Sequence, residues 1–291
     1  MKCGLCEKNA VFGNPAYCKE HFCGYIEKKV LGTIEKYNLI EKGQKVAVAA
    51  SGGKDSLSVL YILNKYGYGV TALAIDEGIS GYRDRTLATL KKICGAHKIK
   101  LRIVSFKGKF SKSLDEILFT NRERPCTVCG VFRRYLLNLH ARDYDVLATG
   151  HNMDDEAQVT LMNLIKNNLS AMQRMGPSAG VVSSEKFTRR VKPLYFCTEK
   201  EIMTYAFINK LTADFNECPN VSRAFRLRVR DMLNEIEQEV PGAKKNLIEW
   251  SLKSKTGMKT GEEGLRECRA CGELSSADVC MACRYMEKIS V

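Results

Sequence analysis

The chain has 291 residues, of which 45% are hydrophobic and 27% charged, and its formal net charge is +13 at pH 7. This length and apolar content exclude a disordered chain and suffice for one large core with small appended modules. The excess positive charge is typical of proteins that bind a polyanion such as RNA, DNA or an acidic membrane. No run of eighteen apolar residues and no apolar secretion signal occur, so we expect a cytoplasmic protein without a membrane partner.

Composition divides the chain into three regions. We expect a cysteine-rich zinc module at 1–23, a long catalytic domain at 24–252 and a cysteine-rich zinc ribbon at 265–291. The polar, glycine-bearing stretch 253–264 is predicted to be the linker before the tail.

In the middle region, short apolar runs rich in Val, Ile and Ala alternate with amphipathic segments. The runs that predict strands are, in chain order, 45–50, 70–76, 100–106 and 145–150. The segments with apolar residues at helical spacing are 55–66, 82–97, 129–143 and 154–168. This alternation predicts an α/β fold with a doubly wound parallel sheet, whose ligand cleft lies at the carboxyl ends of the strands. After about residue 198 the pattern becomes mainly helical.

The first predicted strand runs directly into a glycine turn, residues 51–56, which reads SGGKDS and precedes the first predicted helix. Backbone N–H groups and the positive end of a helix can converge there on an anion. The two glycines allow close approach, and the hydroxyls of Ser51 and Ser56 add donors. The turn is not a Walker A loop, which requires a different spacing. A capped turn without a ligand is the alternative interpretation.

Further residues are expected at the same cleft, where the second and fourth predicted strands end. The backbone of Ile75 can meet an adenine edge, and Gly150 precedes the acidic pair Asp154 and Asp155. Carboxylates near phosphates typically hold Mg²⁺, although acidic residues also stabilise the start of a helix. His151 has either a structural role or that of a base.

Thirteen cysteines in a cytosolic chain favour metal binding or sulfur chemistry over disulfides. Paired two-residue gaps predict two tetrahedral zinc sites, one of Cys3, Cys6, Cys18 and His21 and one of Cys268, Cys271, Cys280 and Cys283. Cys23 is the alternative fourth ligand in the head, and redox dithiols are the alternative for both modules.

Three other cysteines do not complete a zinc site. Cys126 and Cys129 are placed just before a predicted helix, and Cys218 follows about ninety residues later. Three thiolates can hold a [4Fe-4S] cluster with one iron open, or supply a nucleophilic thiol pair. Isolated buried cysteines are the third interpretation, and the favoured one for Cys94 and Cys197.

The glycine turn resembles the SGGxDS signature of the PP-loop ATP pyrophosphatases, which cleave ATP between its α and β phosphates and adenylate a substrate. The order of the head module, the turn, the Cys126–Cys129 pair, the GHNMDDEA stretch, Cys218 and the tail module resembles the TtuA/NcsA group of tRNA 2-thiouridine synthetases, within the TtcA-like PP-loop family. The resemblance covers nearly the whole chain. It implies ATP, Mg²⁺, two Zn²⁺ ions and a [4Fe-4S] cluster as cofactors.

The resemblance also implies roles for individual residues. It places the nucleotide at Ala49, Ala50, Ser51, Gly52, Gly53, Asp55, Ser56, Ile75, Gly150 and Asp155. It implies Cys126, Cys129 and Cys218 as cluster ligands and Asp55 and Asp155 as further catalytic residues. Arg133 stands where relatives carry a basic residue thought to assist the reaction.

The implied reaction is the 2-thiolation of a tRNA uridine. The C2 oxygen attacks the α-phosphate of ATP, and sulfur held on the cluster then replaces the adenylated oxygen. We expect the wobble uridine, because Asn, Cys and Met are plentiful, which is unlike a heat-adapted protein. The sulfur donor is free sulfide or a ubiquitin-like carrier, and the relatives imply a homodimer.

RNA binding has separate support in the positions of arginines. Arg223, Arg226 and Arg230 are placed along one predicted helical face, and Arg133 and Arg134 add to the charge. A solvated helix face is the alternative interpretation.

Three other functions fit part of the pattern. A tRNA cytidine 2-thiolase shares the ATP and cluster chemistry but not the two zinc modules. A PP-loop ligase or amidotransferase leaves the cysteines without a role, and a non-catalytic RNA-binding zinc protein leaves the glycine turn unexplained.

Overall fold

The structure is a computed structural model that describes residues 1–120, 124–179, 187–211, 217–221, 225–254 and 266–289. The strands in these ranges are β1 (Phe12–Gly13), β2 (Ala16–Tyr17), β3 (Lys45–Ala49), β4 (Gly69–Asp76), β5 (Lys100–Ser105), β6 (Val146–Ala148), β7 (Ser178–Ala179), β8 (Arg189–Val191), β9 (Arg266–Glu267) and β10 (Leu274–Ser275). The α-helices are α1 (Lys19–Lys36), α2 (Lys54–Lys65), α3 (Arg83–Ala96), α4 (Phe106–Phe110), α5 (Leu114–Thr120), α6 (Pro125–Ala141), α7 (Met153–Ile165), α8 (Leu169–Gln173), α9 (Glu199–Ile208), α10 (Phe225–Glu239), α11 (Ala243–Ser254) and α12 (Met281–Ile289).

The central sheet has the strand order β5-β4-β3-β6-β8-β7. The first five strands in this order are parallel, and β7 pairs antiparallel to β8 at the edge. The predicted α/β fold with a parallel sheet is confirmed, and the four predicted strands are β3, β4, β5 and β6. Strand β8 was not predicted, because its three residues, Arg189–Val191, contain two arginines and form no apolar run.

Helices cover both faces of the sheet, as the doubly wound arrangement requires. On one face, Val46 and Val48 pack in a core with residues of α1, α2, α3 and α9. On the other face, Ala47 and Leu73 pack against the end of α6 around Ala141. Because both faces are buried, the central strands β3, β4 and β6 are largely apolar rather than alternating.

Two predicted boundaries differ from the structure. Helix α6 begins at Pro125, four residues before the predicted start, so Cys126 and Cys129 lie inside the helix and not just before it. Proline suits a first helical position, because its missing N–H would have no partner there. Helix α11 extends to Ser254 and thus includes the first two residues of the predicted linker. The rest of that linker, 255–264, lies outside the described residues.

The tail packs along α6. Tyr285 of α12 lies 6.1 Å from Phe132 of α6, measured between ring centroids. Cys268, Cys280 and Cys283 belong to the same buried cluster as these rings. Among the described helices, none is both long enough and apolar enough to cross a membrane.

Candidate active site

Two backbone N–H groups of the glycine turn are bonded to serine hydroxyls within the turn itself. Ser51 N–H donates to Ser56 Oγ at 3.2 Å, and Gly53 N–H donates to Ser51 Oγ at 3.2 Å. Gly52 has a φ of +86°, and a Cβ there would lie 2.2 Å from the carbonyl oxygen of Thr86, so only glycine fits. Within the described chain no side chain caps α2, so its first N–H groups remain open to an anion.

The ends of β3 and β4 lie side by side behind this turn. Ala49 ends β3, and the N–H of the buried Ala50 donates to the Leu73 carbonyl at 2.9 Å. The Ile75 carbonyl accepts a bond from Arg83 Nη2 at 2.5 Å, so this acceptor already has a partner. Nucleotide contacts at Ala49, Ala50 and Ile75 stay predictions.

Asp55 and Gly150 connect the turn to the end of β6. Asp55 accepts a hydrogen bond from Asn152 Nδ2 at 3.0 Å and pairs with Lys54 Nζ at 2.8 Å. Burial raises the pKa of Asp55, and the charge of Lys54 opposes that shift. A Cβ on Gly150 would lie 2.8 Å from the backbone nitrogen of Ser56, so glycine is required for this close approach. The predicted cleft residues of β3 and β6 are therefore adjacent.

The acidic pair at the start of α7 divides into two different environments. Asp155 exchanges hydrogen bonds with Asn152 in a capping box, and its Oδ1 lies 2.6 Å from Arg226 Nη2. Burial raises the pKa of Asp155, and Arg226 opposes the shift. Asp154 is buried and pairs with Lys244 Nζ at 2.5 Å. Asp155 faces the Asp55 side of the cleft, whereas Asp154 ties α7 to α11, so the two carboxylates do not act together.

A chain of polar contacts, buried at its centre, leads from the glycine turn to the cysteines. Arg83 Nη1 donates to the Ser51 carbonyl, and its Nε lies 2.9 Å from Glu77 Oε2. The other Glu77 oxygen lies 3.6 Å from Arg133 Nη1. Arg83 and Glu77 are only 3% and 5% exposed, so their contact is shielded from water. We call these residues, Ser51, Arg83, Glu77 and Arg133, the polar relay.

The three middle cysteines converge at the start of α6. Cys126 Sγ lies 3.6 Å from the carbonyl oxygen of Asn220, two residues after Cys218. Cys126 is exposed, whereas Cys129 and Cys218 are half-buried. Burial raises the pKa of Cys129 to about 12 and also raises that of Cys218, with neighbouring thiols adding to both shifts. The three Sγ atoms do not all lie within 4.8 Å of one another, a separation that both end clusters satisfy.

The two end clusters have the compact geometry of a tetrahedral ion site. Their members are those predicted, Cys3, Cys6, Cys18 and His21 in the head and Cys268, Cys271, Cys280 and Cys283 in the tail. The sulfurs of Cys6 and Cys18 are 3.7 Å apart, as are those of Cys271 and Cys280. Sulfurs about 2.3 Å from one tetrahedral ion lie about 3.8 Å from each other, so both clusters fit Zn²⁺.

The other cysteines have different surroundings. Cys23 Sγ accepts a bond from Asn209 Nδ2 at 3.5 Å and packs against the main core, and it is not a member of the head cluster. Cys94 and Cys197 are buried, and burial raises their pKa values to about 11 and about 12. These surroundings favour a structural interpretation for the three cysteines.

His151 lies at the cleft, where its ring Nδ1 is 2.9 Å from Thr149 Oγ1. The His151 side chain is exposed, yet desolvation by the surrounding protein and the charges of Lys192 and Arg226 lower its pKa below the ordinary value. The ring is therefore neutral at physiological pH and holds no proton to donate as imidazolium. The neutral ring could accept a proton, but its lowered pKa makes it a weak base, and this favours the structural role.

The predicted arginine face is only partly available to RNA. Arg226 points inward to Asp155, and Arg230 pairs with Glu217 at 2.9 Å and Asp231 at 3.2 Å. Arg223 lies outside the described residues. The two described arginines of this face are thus engaged in ion pairs within the protein.

Several residues of the site were not predicted. Glu77, Arg83 and Asn152 make the contacts that join the turn, β4 and β6. Asn152 lies in the GHNMDDEA stretch but was given no role, and Glu77 and Arg83 stand in no motif considered above. Glu77 does directly follow the end of the strand β4, where a parallel sheet places its ligands, and that position is the one signal pointing to it.

The chain is similar to tRNA thiolation proteins both in sequence and in three-dimensional structure. The PP-loop domain family matches residues 25–236. A tRNA-5-methyluridine(54) 2-sulfurtransferase of Pyrococcus horikoshii is 38% identical over 98% of this chain and 93% of its own length. The cytoplasmic tRNA 2-thiolation protein 1 of Candida glabrata is 35% identical over 98% of this chain and 85% of its own. The structure of the U34-tRNA thiolase NcsA from Methanococcus maripaludis, with its [4Fe-4S] cluster, matches with a TM-score of 0.85 at 33% identity, covering 99% of this chain and 96% of that one.

A parallel sheet whose first strand ends in this glycine turn defines the PP-loop class of nucleotide-binding domains. Within that class, the chain belongs to the TtuA/NcsA group of tRNA thiolases. The resemblance seen in the sequence is confirmed, and the cytidine thiolase and ligase alternatives are not favoured by these relatives.

Proposed function

We propose that the protein is an ATP-dependent tRNA 2-thiolase that adenylates the C2 oxygen of a uridine and replaces it with sulfur. The observation that carries this proposal is the polar relay. It joins the carbonyl of Ser51 in the turn to Arg133 beside the cysteines through one buried ion pair. Activation and sulfur transfer then take place in one cleft, so the adenylated base does not have to leave before it is thiolated.

The turn and the start of α2 have the donors for the phosphates of ATP. Anions bind there because open N–H groups and the helix dipole point the same way. Asp55 and Asp155 are our proposed ligands for Mg²⁺. Burial raises the pKa of both carboxyls, and the charge of Asp155 adds to the shift at Asp55. A divalent cation would favour the ionised form of both. The Asp155–Arg226 contact then gives way to the cation.

The three middle cysteines are our proposed ligands for a [4Fe-4S] cluster. They suit it because their sulfurs are spaced more widely than those of a zinc site and Cys126 faces solvent. The cluster, when bound, supplies an iron without a protein ligand that can hold a sulfur atom. Arg133 stands beside Cys129 and Cys218, where its charge favours their thiolates. It is also placed to stabilise negative charge as the adenylated oxygen departs.

For the two end clusters we propose Zn²⁺ as a structural ion, on the distances given above. A structural zinc site uses four protein ligands and so has no open position for a substrate. Small metal-bound modules of this kind depend on the ion to fold.

For the substrate we propose tRNA and, within it, the wobble uridine. The relatives are named for both choices: the Pyrococcus protein for position 54 and the Methanococcus protein for U34. We favour U34 because the chain has 13 cysteines and 10 methionines, which heat-adapted proteins tend to avoid. We expect free sulfide or a thiocarboxylated ubiquitin-like carrier as the sulfur donor, and a homodimer.

The test is thiolation by the full chain, purified without oxygen and supplied with ATP, Mg²⁺, sulfide and unmodified tRNA, with mass spectrometry of the nucleosides. We expect 2-thiouridine in anticodon fragments, together with AMP and pyrophosphate. Cys218→Ala should abolish the product and retain ATP binding, while Asp55→Ala should weaken ATP binding. Cys23→Ala, a cysteine outside the cleft, is the matched control and should retain both. 2-Thiocytidine, or thiolation that survives Cys218→Ala, would overturn the assignment.

A further inference from the structure

Two arginines that the thiolation chemistry does not use meet between α6 and β8. Arg190 is the middle residue of β8, where it aligns with the buried Leu147 of β6, and its Nη2 donates to Asn138 Oδ1 on α6. Arg134 lies one turn before Asn138 on the same helix. The two side chains therefore share the space between α6 and the sheet.

The guanidinium of Arg134 is directed back toward the cysteine end of α6. It lies over Gly130, where an added Cβ would be 3.2 Å from Arg134 Nη1. Side chains on a helix lean toward its N-terminus, so the residue four positions earlier decides how closely they can lie against the helix. Glycine at position 130 leaves that room. Cys129 is near enough to interact electrostatically with Arg134.

Neither guanidinium is neutralised by a carboxylate in the described ranges. Burial and the charge of Arg134 lower the pKa of Arg190 to about 10. Burial and the charge of Arg133 lower the pKa of Arg134. The Nε of Arg190 is buried and has no hydrogen-bond acceptor among the described residues. Arg134 is exposed and Arg190 is half-buried, so two like charges face each other within reach of solvent. An anion between them would offset their repulsion with strong, charge-assisted bonds.

The neighbouring cations are already engaged, which distinguishes this pair. Arg189 donates to two backbone carbonyls, those of Asn38 and Leu39, on the other face of the sheet. Lys192 lies 2.7 Å from a Glu156 carboxylate oxygen. The cations next in sequence thus hold the fold together, whereas the pair of Arg134 and Arg190 has donors to spare.

The place of the arginine pair in the fold distinguishes an RNA phosphate from the phosphates of ATP. The glycine turn opens α2, which packs on the face of the sheet opposite to α6. The arginine pair lies on the α6 face, on the side of the cysteines. The phosphates of ATP are held at the turn, whereas a polynucleotide that delivers a base to the cysteines must pass along α6.

We propose that Arg134 and Arg190 form a binding site for one backbone phosphate of the RNA substrate and so set the position of the target nucleotide. This inference rests on the proposed function. Guanidinium groups suit the task because their planar donors engage a phosphate through two bonds. The residues are binding and positioning groups and take no part in bond making.

The test compares Arg134→Gln, Arg190→Gln and the double variant of the full chain, with Arg102→Gln as the matched control. Arg102 lies near the other end of α6, where it contacts His140 and Asp143. Affinity for tRNA is measured by fluorescence anisotropy at several salt concentrations, and affinity for a non-hydrolysable ATP analogue in parallel. We expect the tRNA Kd to rise about ten-fold in the double variant. The plot of log K for tRNA binding against log salt concentration has a negative slope. Its magnitude should decrease by about 0.7 to 0.9 for the one lost phosphate contact. The ATP analogue and the Arg102→Gln control should be unaffected.

A second variant keeps every charge. Gly130→Ala brings a Cβ to 3.2 Å from Arg134 Nη1, so this flexible side chain has to shift slightly. Because alanine favours a helix, Tm should not fall, and tRNA binding should weaken less than in Arg134→Gln. An unchanged tRNA Kd and salt slope in all these variants would overturn the phosphate site. Weakened binding of the ATP analogue alone would also overturn it and assign the anion to the nucleotide. Wild-type protein that binds tRNA without thiolating it would contradict the proposed function and leave this site standing.

Discussion

Glu77 and Arg83 form a buried ion pair, with 2.9 Å between Oε2 and Nε and both side chains less than one tenth exposed. Arg83 extends from this pair to the carbonyls of Ser51 and Ile75. One carboxylate thus fixes the guanidinium that holds the end of β4 against the glycine turn. Its second oxygen faces Arg133 at the cysteine site. Loss of Glu77 should therefore affect both halves of the cleft.

Glu77→Gln leaves the Arg83 charge buried without its counterion. Breaking one side of a buried pair costs about 3 to 5 kcal/mol, so we expect a loss of this size in the free energy of unfolding, measured by urea denaturation. Asp143→Asn, which breaks the exposed contact with Arg102, is the matched control and should cost about 0 to 1 kcal/mol. Equal stabilities for the two variants would show that the Glu77 pair does not hold the cleft.

The cysteines of α6 should differ in reactivity in the metal-free protein. Cys126 is exposed, whereas burial raises the pKa of Cys129 to about 12, so almost none of it is thiolate at pH 8. We expect iodoacetamide to modify Cys126 first, with Cys129 reacting about ten-fold faster for each unit of pH above 8. Peptide mass spectrometry measures both rates. The buried Cys94 is the control and should stay unmodified while the fold persists. Equal rates at pH 8 would contradict the placement of Cys129.

The parts of the fold that the sequence predicted correctly are those with a local sequence pattern. A parallel strand buried on both faces is an apolar run, and a turn that binds phosphate needs glycines and small hydroxyls between a strand and a helix. Both could be predicted without knowing the rest of the fold. Strand β8 could not, because Arg189–Val191 is short and its arginines are stabilised by partners that are distant in sequence. The same holds for the start of α6, where a cysteine-rich first turn carries no apolar periodicity.

The residues that join the site together could be predicted less well. Asn152 reaches Asp55 across 97 positions, and Arg83 reaches Ser51 across 32. Neither contact follows from a period of two or 3.6 residues, since each depends on how the strands are ordered in the sheet. Metal ligands are different, because closely spaced Cys and His pairs restrict the geometry in advance. That is why both end clusters match the predicted sets in full.

Gly150 should be intolerant of any side chain. A Cβ there would lie 2.8 Å from the nitrogen of Ser56 and 2.9 Å from the backbone carbon of Asp55, so the turn itself would have to move. We expect Gly150→Ala to weaken binding of an ATP analogue about ten-fold or more, measured by calorimetry. Gly24→Ala is the matched control, because a Cβ at that exposed position in α1 meets nothing within 4 Å. It should stabilise the fold by about 0.5 to 1 kcal/mol and leave ATP binding intact. Normal affinity in Gly150→Ala would show that the turn can shift freely.

Metal content can separate His21 from Cys23 as the fourth head ligand. His21 Nδ1 lies 3.4 Å from the sulfurs of both Cys3 and Cys18, whereas Cys23 Sγ is bonded to Asn209. We expect two zinc ions per chain by elemental analysis in the wild type and in Cys23→Ala, but one in His21→Ala. The head should then lose its fold, since so few apolar residues hold it otherwise, and a protease should remove it from an intact catalytic domain. Two zinc ions in His21→Ala, or one in Cys23→Ala, would assign the fourth ligand to Cys23 instead.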